Sequence, residues 1–169
     1  MSARPMNVLF LCAGNSARSI LAEALLTRLG AGQFKAHSAG SFPAGFVNPN
    51  TFTIIESLGL DPKDFRSKSW DEFAGPDAPP FDFIFTVCDN AAGEVCPIWP
   101  GRPITAHWGV PDPATVMGTP DEITTAFGNT ARLLKNRIGL FVDLPFDRLD
   151  ETSLRSHLTY IGKSAEQLA

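Results

Sequence analysis

The chain has few of the residues that mark several common protein classes. Its 169 residues include three cysteines, three histidines and a single tyrosine. A small, odd number of cysteines argues against a framework of structural disulfides. No apolar run approaches the roughly 18 residues of a membrane span, and no long apolar segment follows a basic start. We therefore expect a soluble, cytoplasmic protein without a membrane partner, in which the thiols are reduced at rest.

Basic residues are also scarce. Lysine and arginine number 14 against 18 aspartates and glutamates, which gives a formal net charge of −4. The chain has no basic patch of the kind that nucleic acid requires, so nucleic acid is not an expected partner. The hydrophobic content of 44% is that of a globular protein, and the length suits one domain with a full core.

Apolar patterns predict alternating strands and helices. Short β-branched and aromatic runs alternate with helical stripes, and Asn48-Pro49 is a typical helix start. Ser69 and Glu72 have the spacing of a capping box for a short helix. This order predicts an α/β fold: a single three-layer α/β/α domain around a four-stranded parallel sheet. The predicted strands are 6–11, 33–38, 81–87 and 104–106, and the predicted helices are 19–29, 49–58 and two more towards the C-terminus.

The most informative segment is the loop Cys-Ala-Gly-Asn-Ser-Ala-Arg between the first strand and the first helix. Backbone N–H groups at a helix start lack intrahelical partners and favour negative charge. Gly14 is expected to let the backbone curl, and Ser16 or Ser19 to donate to the sulfur of Cys12. We predict that the loop binds a tetrahedral oxyanion. The predicted oxyanion-binding residues are Ala13, Gly14, Asn15, Ser16, Ala17, Arg18 and Ser19.

Arg18 and Cys12 give this loop its predicted chemistry. A guanidinium grips two oxygens at once and keeps its proton. The same positive field favours a cysteine thiolate over the thiol. The loop has no lysine, so it is not the nucleotide-binding loop that ends in Gly-Lys-Ser/Thr. A buried structural cysteine beside an ordinary turn is the competing interpretation, and the co-occurrence of so many anion-binding residue types disfavours it.

The other two cysteines follow the third predicted strand. Cys88 stands at the carboxyl end of that strand, on the edge of the sheet where Cys12 is also expected. Cys96 follows after seven residues that are polar or small, which suits a mobile segment. Two alternatives remain open. Cys88 is an ordinary core residue, or Cys88, Cys96 and His107 bind zinc, although no Cys-x2-Cys spacing supports a metal site.

Asp112 lies between two prolines after the fourth strand. The prolines bias this aspartate towards an extended backbone, and a fixed carboxyl beside a bound anion is suited to general-acid catalysis. The alternative is a turn or N-cap aspartate. His37 is expected to be structural or exposed. Arg132, Lys135 and Arg137 are expected on the solvated face of a long helix.

Several segments resemble one family. VLFLCAGNSARSILAEAL (8–25) resembles the active-site segment of low-molecular-weight protein tyrosine phosphatases and of the arsenate reductases that share their fold. His-Ser-Ala-Gly at 37–40 and Asp-Pro at 112–113 are similar to further family segments. FTVCDNAAGEVCPIWPG (85–101) is similar to the redox-cysteine region of the reductase branch. The resemblance extends over residues 6–162, which we take as the domain.

The resemblance implies arsenate as substrate and a relay of three catalytic cysteines. Cys12 would attack arsenate, Cys88 would then attack Cys12 and release arsenite, and Cys96 would move the disulfide to the Cys88–Cys96 pair. Arg18 would bind the anion, and Asp112 would protonate the leaving oxygen. Thioredoxin, glutaredoxin with glutathione, and mycothiol are the candidate donors. No cofactor and no metal is expected.

One departure from the family concerns potassium. In one branch, positions similar to Asn15, Glu23, Ser38 and Ser67 hold the loop and bind a potassium ion. Here Ser67-Lys68-Ser69 lacks the acidic residue of that pattern. Hydrogen bonding within the loop is therefore the better interpretation of these residues.

Two other functions stay open at this point. A phosphatase would hydrolyse a phosphocysteine and needs only Cys12. However, the region after Gly40 offers Phe42 and Phe46 rather than a tyrosine–tryptophan clamp for a phosphotyrosine ring. An anion-binding sensor would use Arg18 but gives no role to Cys88 and Cys96 together.

Overall fold

A computed structural model describes residues 5–89, 93–94, 96–97 and 103–164. The predicted mobile segment between Cys88 and Cys96 therefore lies partly outside the described residues. None of the helices in the described part of the chain is long and apolar enough to cross a membrane.

The described residues form a four-stranded sheet with α-helices between and after the strands. All neighbouring strands are parallel, in the order β2-β1-β3-β4. This confirms the predicted α/β fold and its four-stranded parallel sheet. The strands are β1 (Met6–Cys12), β2 (Phe34–Gly40), β3 (Phe83–Thr86) and β4 (Ile104–His107), and the helices are α1 (Arg18–Leu29), α2 (Pro49–Ser57), α3 (Pro120–Val142) and α4 (Glu151–Ser164).

The register brings the carboxyl ends of the strands to one edge. Cys12 pairs with Gly40, and Thr86 pairs with His107 on the far side of β3. Val87 N–H donates to Leu11 O at 2.9 Å and extends the pairing by one residue. Cys12 and Cys88 therefore share the edge where ligands bind in parallel α/β sheets, as the sequence predicts.

The two faces of the sheet bury different sets of side chains. Along β1, Val8 and Phe10 face a core shared with α1, α3 and α4. Leu9 and Leu11 face the opposite side, where the short 3₁₀ helix Trp70–Phe73 and Phe81 cover them. This short helix lies where Ser69 and Glu72 predicted one. The predicted capping box is wrong, because the Ser69 side chain accepts from Asp71 N–H instead.

Arg137 corrects another expectation from the sequence. Arg132 and Lys135 are exposed on α3 as predicted, but Arg137 is 0% exposed. Its NH1 donates to the carbonyl oxygens of Trp108 and Gly109, at 2.8 and 2.9 Å. A buried charge needs such partners, because desolvation without them is costly. Arg137 therefore holds the chain that follows β4 against α3.

Glycine acts at Gly40 rather than at Gly14 in shaping the loop after β1. Gly14 is not among the glycines with positive φ, and a Cβ on it would meet only Ser16 Oγ, at 3.9 Å; the one described non-glycine residue with positive φ is Asn15, at 46°. The prediction that Gly14 provides the curl is therefore wrong. A Cβ on Gly40 would overlap the carbonyl oxygen of Ala13 and approach Asn15 Cβ to 3.0 Å. The end of β2 thus needs glycine because the loop packs directly on it.

Replacing Gly40 by alanine is expected to displace the loop. Overpacking against backbone costs about 1–3 kcal/mol of unfolding free energy, and anion binding should weaken with it. Gly128→Ala is the matched control, since its Cβ meets nothing within 4 Å inside α3. That change should stabilise by about 0.5–1 kcal/mol. Urea unfolding of both variants tests this, and equal stability of the two would contradict it.

Candidate active site

Three carbonyl groups of the loop 13–17 accept hydrogen bonds from outside the loop. Three backbone N–H groups from the chain after β2 donate to them: Phe42 to Ala13 O at 2.9 Å, Ala44 to Gly14 O at 2.8 Å, and Asn48 to Ser16 O at 3.0 Å. Thr51 Oγ1 also donates to Ser16 O, at 3.0 Å. Because these carbonyls have partners outside the loop, the loop's N–H groups are left available to an anion, and that of Asn15 points at Cys12 Sγ.

Cys12 Sγ lies among hydrogen-bond donors. Asn15 N–H donates to it at 3.3 Å, and Ser19 Oγ lies 2.9 Å away. Asn15 Nδ2 donates to Ser19 Oγ at 2.7 Å, which leaves the serine proton for the sulfur. Of the two serines predicted to contact the sulfur, Ser19 therefore does so. Among the described residues no side chain caps the start of α1 at Ala17, so the helix presents its N-terminal N–H groups to this site.

A second set of hydrogen bonds fixes Asn15 in its strained backbone conformation. Asn15 Oδ1 accepts from Lys68 N–H at 2.8 Å, and Nδ2 donates to Ser38 Oγ at 3.0 Å. Ser38 Oγ in turn donates to Glu23 Oε1 at 2.5 Å. Ser67 Oγ donates to Gly14 O at 3.3 Å. The expected loop hydrogen bonding by these residues is thus present.

The sequence did not indicate that the side chain of Lys68 lies beside Glu23 and Ser38. Its buried ammonium lies 3.8 Å from Glu23 Oε1 and donates to Ser38 Oγ at 3.4 Å and Arg66 O at 2.9 Å. Burial raises the pKa of Glu23 and lowers that of Lys68, and each partner opposes the shift in the other. The chain's own ammonium thus lies among the oxygen atoms around Asn15.

Arg18 is 4% exposed and binds two carboxylates. The carboxylate of Glu94 accepts two hydrogen bonds from the guanidinium of Arg18: Oε2 from NH1 at 2.5 Å and Oε1 from NH2 at 2.7 Å. Asp112 Oδ2 lies 3.4 Å from NH2. Burial is the largest single influence on the pKa of Arg18 and lowers it, but the hydrogen bonds that Arg18 donates to Glu94 and the nearby Asp112 carboxylate contribute to a net rise. The arginine stays charged.

Asp112 begins a turn, as one of the two predictions has it, and also lies beside Arg18, while its role as general acid stays a prediction. Its Oδ1 accepts from Ala114 N–H at 3.0 Å and begins a 3₁₀ turn, Pro113–Thr115. Its other oxygen faces Arg18. Val110 O also accepts from Arg18 NH1, at 3.4 Å, and Arg137 holds the preceding carbonyls. The loop after β4 is therefore fixed beside the loop 13–17 that is predicted to bind the anion.

Cys88 and Cys96 form a disulfide, with Cα atoms 5.9 Å apart, and Cys12 is the free, buried cysteine. A ring nitrogen of His107 and the two sulfurs all lie within 4.8 Å of one another. His107 Nδ1 also lies 2.7 Å from Thr86 Oγ1. Disulfide sulfurs have no thiolate to offer a metal, so this form of the protein favours the redox interpretation over a zinc site.

His37 is structural, as expected. Its ring packs edge-on against Phe73 and Phe81. Burial, helped by the charges of Lys35 and Lys68, lowers its pKa to about 4. The imidazole is therefore neutral over the physiological pH range and belongs to the packing of the second face of the sheet.

The fold and loop define a class of α/β enzymes that carry a cysteine and an arginine at the carboxyl edge of a parallel sheet. The chain belongs to the low molecular weight phosphotyrosine protein phosphatase family, whose sequence model matches residues 7–153. Over 136 residues it is 33% identical to an arsenate reductase of Halalkalibacterium halodurans, covering 80% of this chain and 94% of that protein.

Solved structures agree with this assignment. The arsenate reductase from Archaeoglobus fulgidus has a TM-score of 0.66 and 28% identity, covering 81% of this chain and 99% of that one. A thioredoxin-dependent arsenate reductase of Corynebacterium glutamicum has a TM-score of 0.51 and 25% identity, covering 83% of this chain and 65% of that one.

Lys68→Met tests the electrostatic support of the loop. Removing one partner of a buried pair leaves Glu23 uncompensated, so we expect a loss of about 3 kcal/mol of unfolding free energy at neutral pH. The pKa of Glu23 in the folded protein should rise further. A carboxyl whose pKa is raised by folding makes the protein less stable as the pH rises from the unfolded-state pKa to the folded-state pKa. The deficit should therefore shrink at acidic pH.

Urea unfolding at neutral and acidic pH measures the effect. Lys135→Met, on the exposed face of α3, is the matched control and should change little. Glu23→Gln in the Lys68→Met background should recover part of the loss. A deficit that does not depend on pH would refute the proposed pairing.

Proposed function

We propose that this protein is an arsenate reductase in which three cysteines pass on a disulfide. The observation that supports this best is the Cys88–Cys96 disulfide on the same sheet edge as the free Cys12 in the anion-binding loop. A phosphatase needs one cysteine and leaves this pair without a role. The H. halodurans and A. fulgidus relatives, both arsenate reductases, support the same conclusion.

In the first step the loop binds arsenate and Cys12 attacks it. We propose that the oxygen atoms of arsenate accept hydrogen bonds from the N–H groups of residues 13–17, from Ser19 and from the guanidinium of Arg18. The Cys12 thiolate forms an S–As bond while one As–O bond breaks. Asp112 supplies the proton that lets the departing oxygen leave as water. Arsenic is still in its +5 state in this adduct.

The second step is the reduction. The Cys88 thiolate attacks Cys12 Sγ, and the S–As bond breaks with its electron pair passing to arsenic. Arsenic leaves as arsenite, in the +3 state, and a Cys12–Cys88 disulfide remains. Cys96 then attacks Cys88 Sγ and releases the Cys12 thiolate. The product is the Cys88–Cys96 disulfide, which is the form that the structure contains.

An external thiol donor returns the enzyme to its starting state. Two electrons and two protons from the donor reopen the Cys88–Cys96 bond, and the donor becomes a disulfide. We propose thioredoxin first, because the C. glutamicum relative is thioredoxin-dependent. Glutaredoxin with glutathione and mycothiol are the other thiol donors. We place the reaction in the cytoplasm, where thiols are kept reduced. We propose that residues 6–162 form the catalytic domain.

Cysteine variants test the proposed order, because each should stop at a different stage. Cys12→Ser should neither reduce arsenate nor hydrolyse p-nitrophenyl phosphate, since a serine hydroxyl is not ionised. Cys88→Ser should release no arsenite, and Cys96→Ser should stop after one turnover with a Cys12–Cys88 disulfide. Both should keep whatever phosphatase activity the wild type has. Arsenite release with a thioredoxin system measures this, and steady turnover by Cys88→Ser would remove the relay.

Asp112→Asn tests the general acid. An amide oxygen still accepts from Ala114 N–H and keeps the turn, but it has no proton to donate. We expect kcat for arsenate to fall by about 10²–10⁴-fold with a small change in KM. Thr115→Ala, which removes a hydrogen bond to Asp112 O in the same turn, is the control. An unchanged kcat in Asp112→Asn would make Asp112 a turn residue only.

A further inference from the structure

Glu94 occupies the nitrogens of Arg18 that the proposed function assigns to the substrate. Its two oxygens accept from NH1 and NH2 at 2.5 and 2.7 Å, and Oε2 also accepts from Asp89 N–H at 2.9 Å. Among the described residues, Val110 O also lies 3.4 Å from NH1, and Asp112 Oδ2 lies 3.4 Å from NH2. A guanidinium fork binds one anion in this bidentate way, so Glu94 and an oxyanion compete for it.

The charges lead to the same conclusion. Arg18 contributes one positive charge, and Glu94 and Asp112 lie against it. The hydrogen bond from Arg18 holds the pKa of Glu94 below its ordinary value, so this carboxyl is ionised at neutral pH. With Glu94 in place, an approaching anion meets an arginine whose charge is already neutralised.

The disulfide links this contact to the redox state. Glu94 lies two residues before Cys96 and six after Cys88, within a covalent loop with a sequence separation of 8. Cys88 is fully buried at the end of β3. So short a closed loop restricts the positions that Glu94 can reach. Reduction of the Cys88–Cys96 bond removes that restriction.

We propose that Glu94 is an internal competitor of the oxyanion that acts when the Cys88–Cys96 disulfide is closed. This inference rests on the proposed function. In the oxidised form the carboxylate holds Arg18 and excludes arsenate. A dithiol donor reduces the Cys88–Cys96 disulfide to two thiols and itself becomes a disulfide. Glu94 then leaves Arg18, and the site accepts the anion.

The device gives the reaction cycle an order. In the oxidised form Cys88 has no thiolate, so an arsenate adduct on Cys12 would have no thiol to release it. Excluding arsenate at that stage prevents a stalled adduct. The coupling is reciprocal, because a bound oxyanion displaces Glu94 and so favours the reduced form by the same factor.

Sulfate binding tests the proposal, because sulfate is a tetrahedral anion that undergoes no reduction here. Calorimetric titration is performed on the full chain, once with Cys88–Cys96 oxidised and once with all thiols reduced. We expect the oxidised wild type to bind sulfate about tenfold or more weakly than the reduced form. Glu94→Gln and Glu94→Ala should remove most of that difference by strengthening binding to the oxidised form.

Glu151→Gln is the matched control, since Glu151 forms an exposed pair with Arg155 on α4. It should keep the wild-type difference between the two redox forms. Equal sulfate affinity in both forms of the wild type would overturn the proposal. So would a redox difference that survives in both Glu94 variants.

A parallel arsenite assay on the reduced wild type separates this inference from the proposed function. Redox-dependent sulfate binding without arsenate reduction would refute the function and keep the competition. Arsenate reduction with sulfate affinity independent of the redox state would do the reverse.

Discussion

The orientation of the peptide groups in the loop after β1 is the constraint on which the rest of the site depends. The carbonyl groups of this loop need hydrogen-bond partners, and partners outside the loop leave its N–H groups available to an anion. The chain after β2 supplies those partners to Ala13, Gly14 and Ser16. Asn15, with its positive φ, closes the curve and binds Cys12 Sγ through its N–H. The positions of Cys12, Ser19 and Arg18 depend on this conformation of the loop.

Contacts with several neighbouring elements hold the loop after β1 in this conformation. Gly40 lets β2 approach it, and the buried pair of Lys68 and Glu23 supports Ser38 and through it Asn15. On the other side, Arg137 fixes the carbonyls of the chain that leads to Asp112. The anion-binding groups are thus preorganised by contacts outside the site, which is what electrostatic stabilisation of a bound anion needs.

Local signals in the sequence were enough to predict the sheet, the loop and the edge that Cys12 and Cys88 share. Strand and helix periodicity are local, and parallel pairing places the strand ends together. Three features depend on tertiary contacts. The positive φ of Asn15 rather than a bend at Gly14, and the need for glycine at position 40, arise where β2 packs on the loop. The pairing of Glu94 with Arg18 joins residues 76 positions apart, and no local pattern marks it.

Arg137 is different, because a signal was present. It lies three residues after Leu134 and four before Phe141, on the apolar stripe of α3. A charged residue at such a position is either buried with partners or breaks the stripe. Charge alone suggested a solvated face, while helical position gave the correct answer.

Disulfide mapping after a single turnover tests the central claim most directly. Fully reduced protein is mixed with stoichiometric arsenate in the absence of oxygen and of any donor, then alkylated and analysed by peptide mass spectrometry. The relay predicts one arsenite released per chain, a Cys88–Cys96 disulfide and an alkylated Cys12, whereas sulfate in place of arsenate leaves three alkylated cysteines. Arsenite formed while all three cysteines remain alkylated, or a Cys88–Cys96 bond formed equally with sulfate, would contradict it.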